Sequence, residues 1–83
     1  MARYASRISE LDSERQAIGK QVRKLRKKRG WTQMQLSIRL NCVDQATISR
    51  WESGEQIPSL IAAIRLARVF GVKVEDIAKG IEW

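Results

Sequence analysis

The chain has 83 residues, 43% of them hydrophobic, so it is long enough for one small globular domain and too apolar for a disordered one. It carries 16 Lys and Arg against 9 Asp and Glu, a net charge of +7, which favours a polyanionic partner: nucleic acid or an anionic membrane surface. With no His and a single cysteine, Cys42, an internal disulfide and a multi-ligand zinc site are excluded, and no cofactor is expected.

The first twelve residues carry no strong pattern, and they are set apart as an N-terminal arm (1–12) before a domain of residues 13–83. Three readings of the arm stand: disorder, a minor-groove arm using Arg3 and Arg7, or an extension of the first helix, in which Ile8, Leu11, Ile18, Val22 and Leu25 approximate a heptad. Ser13 and Gln16 have capping-box spacing, which starts a helix there. Ile18, Val22 and Leu25 share one stripe at about 100° per residue. Opposite them lie Lys20, Arg23, Lys24, Lys27 and Lys28, and the basic run Arg23–Arg29 is open to two readings: a phosphate clamp, or a solvated face with Arg26 excepted. Gly30 ends the helix.

Thr32 and Gln35 form a second capping box, opening a short helix that carries Leu36 and Leu40. After Asn41-Cys42-Val43, Asp44 is a natural N-cap for a third helix that stops at Gly54. On that helix Ile48 and Trp51 occupy one side. Gln45, Ala46, Ser49, Arg50 and Ser53 occupy the other, a set able to read base edges by Gln–adenine and Arg–guanine hydrogen bonds and methyl contact with thymine. Pro58 precedes a cap at Ser59. The segment Leu60–Phe70 is apolar nearly all round, which predicts a helix at the centre of a bundle. Gly71 ends it, and a last helix is expected over roughly Val74–Lys79. Ile77, Ile81 and Trp83 then form an apolar C-terminal cluster, suited either to the core or to a dimer interface. No segment alternates with period two, no apolar run is long enough for a membrane span, and there is no secretory leader pattern, so the cytoplasm is the expected compartment. Trp31 and Trp51 are in phase with core positions, which favours packing over base stacking. Cys42 reads as a small turn residue.

Two short helices joined by a tight connection match the helix-turn-helix pattern. Leu25-Arg26, Gly30-Trp31-Thr32-Gln33, Thr47-Ile48-Ser49-Arg50-Trp51-Glu52, Gly54, Pro58-Ser59-Leu60 and Phe70-Gly71-Val72, in this order, resemble the lambda repressor/Cro (Xre) family over about Ile18–Ile77. The resemblance implies an all-α, compact five-helix bundle and a homodimer that lays helix 3 in the major groove of a palindromic operator, bacterial, phage or plasmid-borne. It implies base contacts from Gln45, Ala46, Ser49 and Arg50 and phosphate contacts from Thr32, Gln33, Thr47, Ser53, Arg39 and Lys27. Arg26 and Glu52 match the family's structural ion pair.

The chain departs from the family in three places. Leu40 and Ile48 stand one residue further apart than is usual, Asn41 replaces the small turn residue, and the loop Glu55-Gln56-Ile57 is not basic. The extra residue is placed among Asn41, Cys42 and Val43, because Asp44 then keeps the cap and Gln45 its phase with Ile48; if it instead made helix 3 start earlier and rotate, Asp44 would face the DNA. The expected function is therefore a sequence-specific DNA-binding regulator, a repressor or autoregulator dimerising through the C-terminal segment. The alternative is a protein-interaction module, adaptor or antitoxin-like, on the same fold. No nucleophile stands with a visible base, so enzymatic activity and a small-molecule substrate are not expected.

Overall fold

A computed structural model describes the backbone of residues 2–79 and the side chains of residues 13–79. The elements are α1 (Ala2–Lys28), α2 (Gln33–Leu40), α3 (Gln45–Ser53), α4 (Leu60–Phe70) and α5 (Val74–Ile77). No strand occurs among the described residues. The side chains of Arg3 and Arg7, and the tail Ile81–Trp83, lie outside the described residues.

Helix α1 begins at Ala2, so Ser13 and Gln16 stand inside it and Ser13 caps nothing. The preceding stretch contains neither Gly nor Pro and is rich in residues that tolerate helix, so nothing in it stops the backbone from continuing. A capping box marks a permitted start, not an obligatory one. At the other end α1 stops before Gly30, whose φ of 73° would strain any residue with a Cβ.

The remaining helices are delimited by local chemistry. Thr32 Oγ1 accepts from the Gln35 amide at 3.0 Å and Gln35 Oε1 accepts from the Thr32 amide at 2.9 Å, the two halves of a capping box. Helix α2 ends at Asn41, whose φ of 55° is left-handed, a conformation Asn tolerates better than most residues. Asp44 caps α3, which ends at Gly54; Ser59 caps α4 through the Ala62 amide, and Gly71 ends it. Helix α5 runs Val74–Ile77, two residues shorter than expected at its end; the Asp76 carboxylate accepts from the Lys73 amide and holds its start.

Val22, Leu36, Ile48, Trp51 and Leu66 are fully buried, one or more from each of α1–α4, and Ile77 closes the core from α5. Each such side chain contributes roughly 1.5–3 kcal/mol by leaving water. Trp31 is half-buried and stacks on Phe70 with ring centroids 6.1 Å apart. Both indoles therefore belong to packing. Helix α1 lies against α3 and α5, and α2 against α3 and α4.

The expectation that α4 is buried all round is corrected. Ala62, Leu66, Ala67 and Phe70 are buried, but Leu60 and Ile61 are 72% and 67% exposed and Ile64 38%. The neighbours of α4 cover its inner side only, and among the described residues no element lies over the outer one.

Candidate nucleic-acid interface

The turn between α2 and α3 fixes which side of α3 is free. Asp44 has extended backbone angles, and its Oδ1 accepts from the Thr47 amide at 2.9 Å and from Thr47 Oγ1 at 2.7 Å. These two bonds, the hydroxyl first, hold the Asp44 carboxyl below its ordinary pKa. Asp44 is thus occupied as a cap rather than turned outward on the helix, and the extra residue is absorbed in Asn41-Cys42-Val43. With this phase Ile48 and Trp51 are buried, while Gln45, Ala46, Ser49, Arg50 and Ser53 are exposed. Gln45 stands in the first turn of α3, the end of a recognition helix that meets base edges in a major groove.

Beside this face is a shallow polar hollow lined by Arg23, Arg26, Gln33, Ser49, Glu52 and Ser53. Its base is an ion pair. Arg26 Nε donates to Glu52 Oε2 at 2.6 Å and Nη2 to Oε1 at 2.9 Å, a two-pronged geometry, while Nη1 donates to the Trp31 carbonyl at 2.7 Å. The two side chains are 11% and 5% exposed. The bond to Glu52 raises the Arg26 pKa above its already high ordinary value. Gln33 Nε2 donates to Glu52 Oε1 at 3.2 Å, which pins the start of α2 to the end of α3 and orients the Gln33 amide. Ser53 Oγ donates to the Arg50 carbonyl at 3.1 Å.

The geometry therefore gathers Gln33, Ser49 and Ser53 in one hollow and leaves Gln45, Ala46 and Arg50 open beside them along α3. Thr32 and Thr47 are tied into their caps, Thr47 through its hydroxyl proton. Lys27 is exposed on the last turn of α1. Arg39 does not line the hollow; its guanidinium lies over the Trp31 ring at 4.4 Å, in a groove shared with α4. Nor does the basic run Arg23–Arg29 act as one face. Arg23 lines the hollow, Arg26 holds Glu52, and Arg29 Nη2 donates to the Phe70 carbonyl at 2.5 Å. Arg23 joins the site residues although its sequence pattern marked it only as part of a charge run. The signal available was its spacing, one helical turn before Arg26 on the same side of α1.

Among the described residues there is no cluster of side chains that could hold a metal ion, and no helix is long and apolar enough to cross a membrane. A family profile described as helix-turn-helix matches residues 22–77. The chain is also 32% identical over 56 residues, covering 68% of its own length and 83% of the relative's, to YgzD of Bacillus subtilis (strain 168), an uncharacterized HTH-type transcriptional regulator. No solved structure matches. With its helices capped in this order and its second and third helices joined by this turn, the chain belongs to the helix-turn-helix family of lambda repressor/Xre type, a family of DNA-binding regulators.

Proposed function

We propose that this chain is a sequence-specific transcriptional regulator, a repressor or autoregulator, that binds a palindromic operator as a homodimer in the cytoplasm of a bacterium or as a phage or plasmid product. Helix α3 enters the major groove. Gln45, Ala46, Ser49 and Arg50 read base edges, and Gln33, Ser53, Thr32, Thr47, Arg39 and Lys27 hold the flanking backbone, joined by Arg23. The observation that carries this reading is the two-sidedness of α3: Ile48 and Trp51 bury one side, and the other presents Gln, Ala, Ser and Arg to solvent with no Glu or Lys among them. The C-terminal segment is the proposed dimer contact. The test is a binding selection on random duplex DNA at near-physiological salt. An enriched palindromic motif supports the proposal. Salt-sensitive binding with no motif removes base reading by α3 and leaves the same fold serving as an interaction module.

A further inference from the structure

The outer side of α4 is explained neither by the core nor by the α3 face. Ile61, Ile64, Arg65 and Arg68 follow the helical repeat and form one stripe along it. Ile61 and Ile64, with Val69 and the edge of Leu40, line a groove between α2 and α4 that also takes in Arg39, Arg65 and Arg68. Neither α2 nor α4 contains an acidic residue, and none of the three arginines has a salt bridge among the described residues. Arg39 is held in place by the Trp31 ring. Exposed apolar surface next to uncompensated guanidinium groups, that of Arg39 held in place, is the complement of a segment that is both apolar and acidic, because guanidinium matches carboxylate in a forked geometry.

We propose that the α2–α4 groove docks an acidic, amphipathic helical segment of a partner protein. Its apolar side would cover Ile61, Ile64 and Val69 and its carboxylates would meet Arg39, Arg65 and Arg68. A second copy of this chain fits less well. Groove against groove, Arg39, Arg65 and Arg68 of one copy would face the same residues of the other with no carboxylate between them. A nucleic-acid backbone would satisfy the arginines and leave Leu60, Ile61 and Ile64 bare. An anionic bilayer reaches protruding side chains, whereas Leu40, at the groove wall, is only 3% exposed. The groove shares no lining residue with the hollow beside α3, and of its arginines only Arg39 is also a proposed DNA-backbone contact, so Arg65 and Arg68 are the positions that separate docking from DNA binding.

The experiment titrates the full chain with a synthetic amphipathic peptide carrying Leu at helical spacing and Glu elsewhere. A composition-matched scrambled peptide and a version with Lys for Glu serve as controls. Saturable binding of the Glu peptide alone is expected, with backbone amide shifts confined to α2 and α4 around Arg39, Ile61, Arg65 and Arg68. Affinity should weaken about tenfold or more in Arg65→Glu/Arg68→Glu, a solvent-exposed double change whose thermal melt is compared with the parent. The milder pair Arg65→Gln/Arg68→Gln should fall between. Absence of saturation, equal binding of the scrambled or Lys peptide, or shifts centred on α3 overturns the proposal. So does Ile61→Asp turning a sedimenting dimer into a monomer, which gives the face to a second copy. Binding to phosphatidylglycerol vesicles without binding the peptide overturns it in favour of lipid, and a parallel loss of duplex affinity in the arginine variants overturns it in favour of phosphate.

Discussion

Gly19 and Trp51 meet backbone to backbone: a Cβ at position 19 would stand 2.3 Å from the Trp51 carbonyl oxygen and 2.8 Å from that of Glu52. Only a glycine lets α1 come this close to the last turn of α3, and this approach is part of what holds α3 at its angle to the core. Replacing a mid-helix glycine by alanine ordinarily gains about 1 kcal/mol in helix propensity. Here the overlap is with main chain, which cannot swing away, so the helices must part. Overpacking of this kind costs typically about 1–3 kcal/mol and outweighs the gain. Gly19→Ala is expected to lower the melting temperature by several degrees, at about 4–8 °C per kcal/mol for a domain this size. A circular-dichroism melt at or above that of the parent would show that the contact is slack.

Arg26 and Glu52 make the second link between α1 and α3. Removing the carboxylate leaves a largely buried guanidinium with the Trp31 carbonyl as its remaining acceptor, and it frees the Gln33 amide as well. Breaking one side of such a pair costs roughly 3–5 kcal/mol. Glu52→Ala should therefore bind DNA poorly because it is partly unfolded, with much of the affinity recovered on cooling below its lowered melting point. Glu52→Gln keeps an acceptor for Arg26 and should lose less. If Glu52→Ala melts like the parent, the pair does not hold the domain together.

Asp44 makes stability depend on acid. Its folded pKa is depressed, so its contribution is fully present above the unfolded value, about 4 for aspartate, and is lost as pH falls through the lower folded value. Asp44→Ala should melt below the parent at pH 6, and the gap should narrow as both are acidified through the lowered folded pKa of Asp44. Asp44→Asn keeps a cap oxygen and removes the titration, so its melting temperature should fall less over the same acidification than the parent's. A gap independent of pH would mean that the cap works equally well protonated.

The helix ends were legible because their chemistry is local. Thr32 with Gln35, Asp44, Ser59, Gly54 and Gly71 each act within a few residues of themselves, so spacing alone identifies them. The free side of α3 was legible for a related reason: Ile48 and Trp51 set a helical phase that needs no knowledge of the partner. Three features lay beyond this reach. The start of α1 is not fixed by the sequence, because a permitted cap at Ser13 does not say whether the helix continues through the arm, as the approximate heptad of Ile8, Leu11, Ile18, Val22 and Leu25 allows. The outer side of α4 was misread because an all-round apolar helix is buried only if enough elements exist to cover it, which depends on topology. The separation of Arg39 from the α3 face arises from its placement over Trp31 across the α1–α2 connection, a tertiary contact with no sequence signature.

Base reading and backbone holding should come apart on mutation, because Gln45 and Lys27 differ in what they can contribute. Gln45 is exposed in the first turn of α3 and carries an amide that can pair bidentately with adenine. Gln45→Ala should cost about 1–3 kcal/mol on the preferred operator and relax the preference at one base pair, with little change on unrelated duplex. Lys27 is an exposed charge at the end of α1 that can only attract phosphate. Lys27→Ala should weaken binding about equally on all sequences and reduce the slope of log affinity against log salt by roughly 0.9. Fluorescence anisotropy on specific and scrambled duplexes over a salt series separates the two. The opposite pattern, a flat loss for Gln45→Ala or an unchanged salt slope for Lys27→Ala, would reassign these residues: it would take Gln45 off the base edge and Lys27 off the backbone, and would require α3 to lie in the groove at a different angle from that set by Asp44, Ile48 and Trp51.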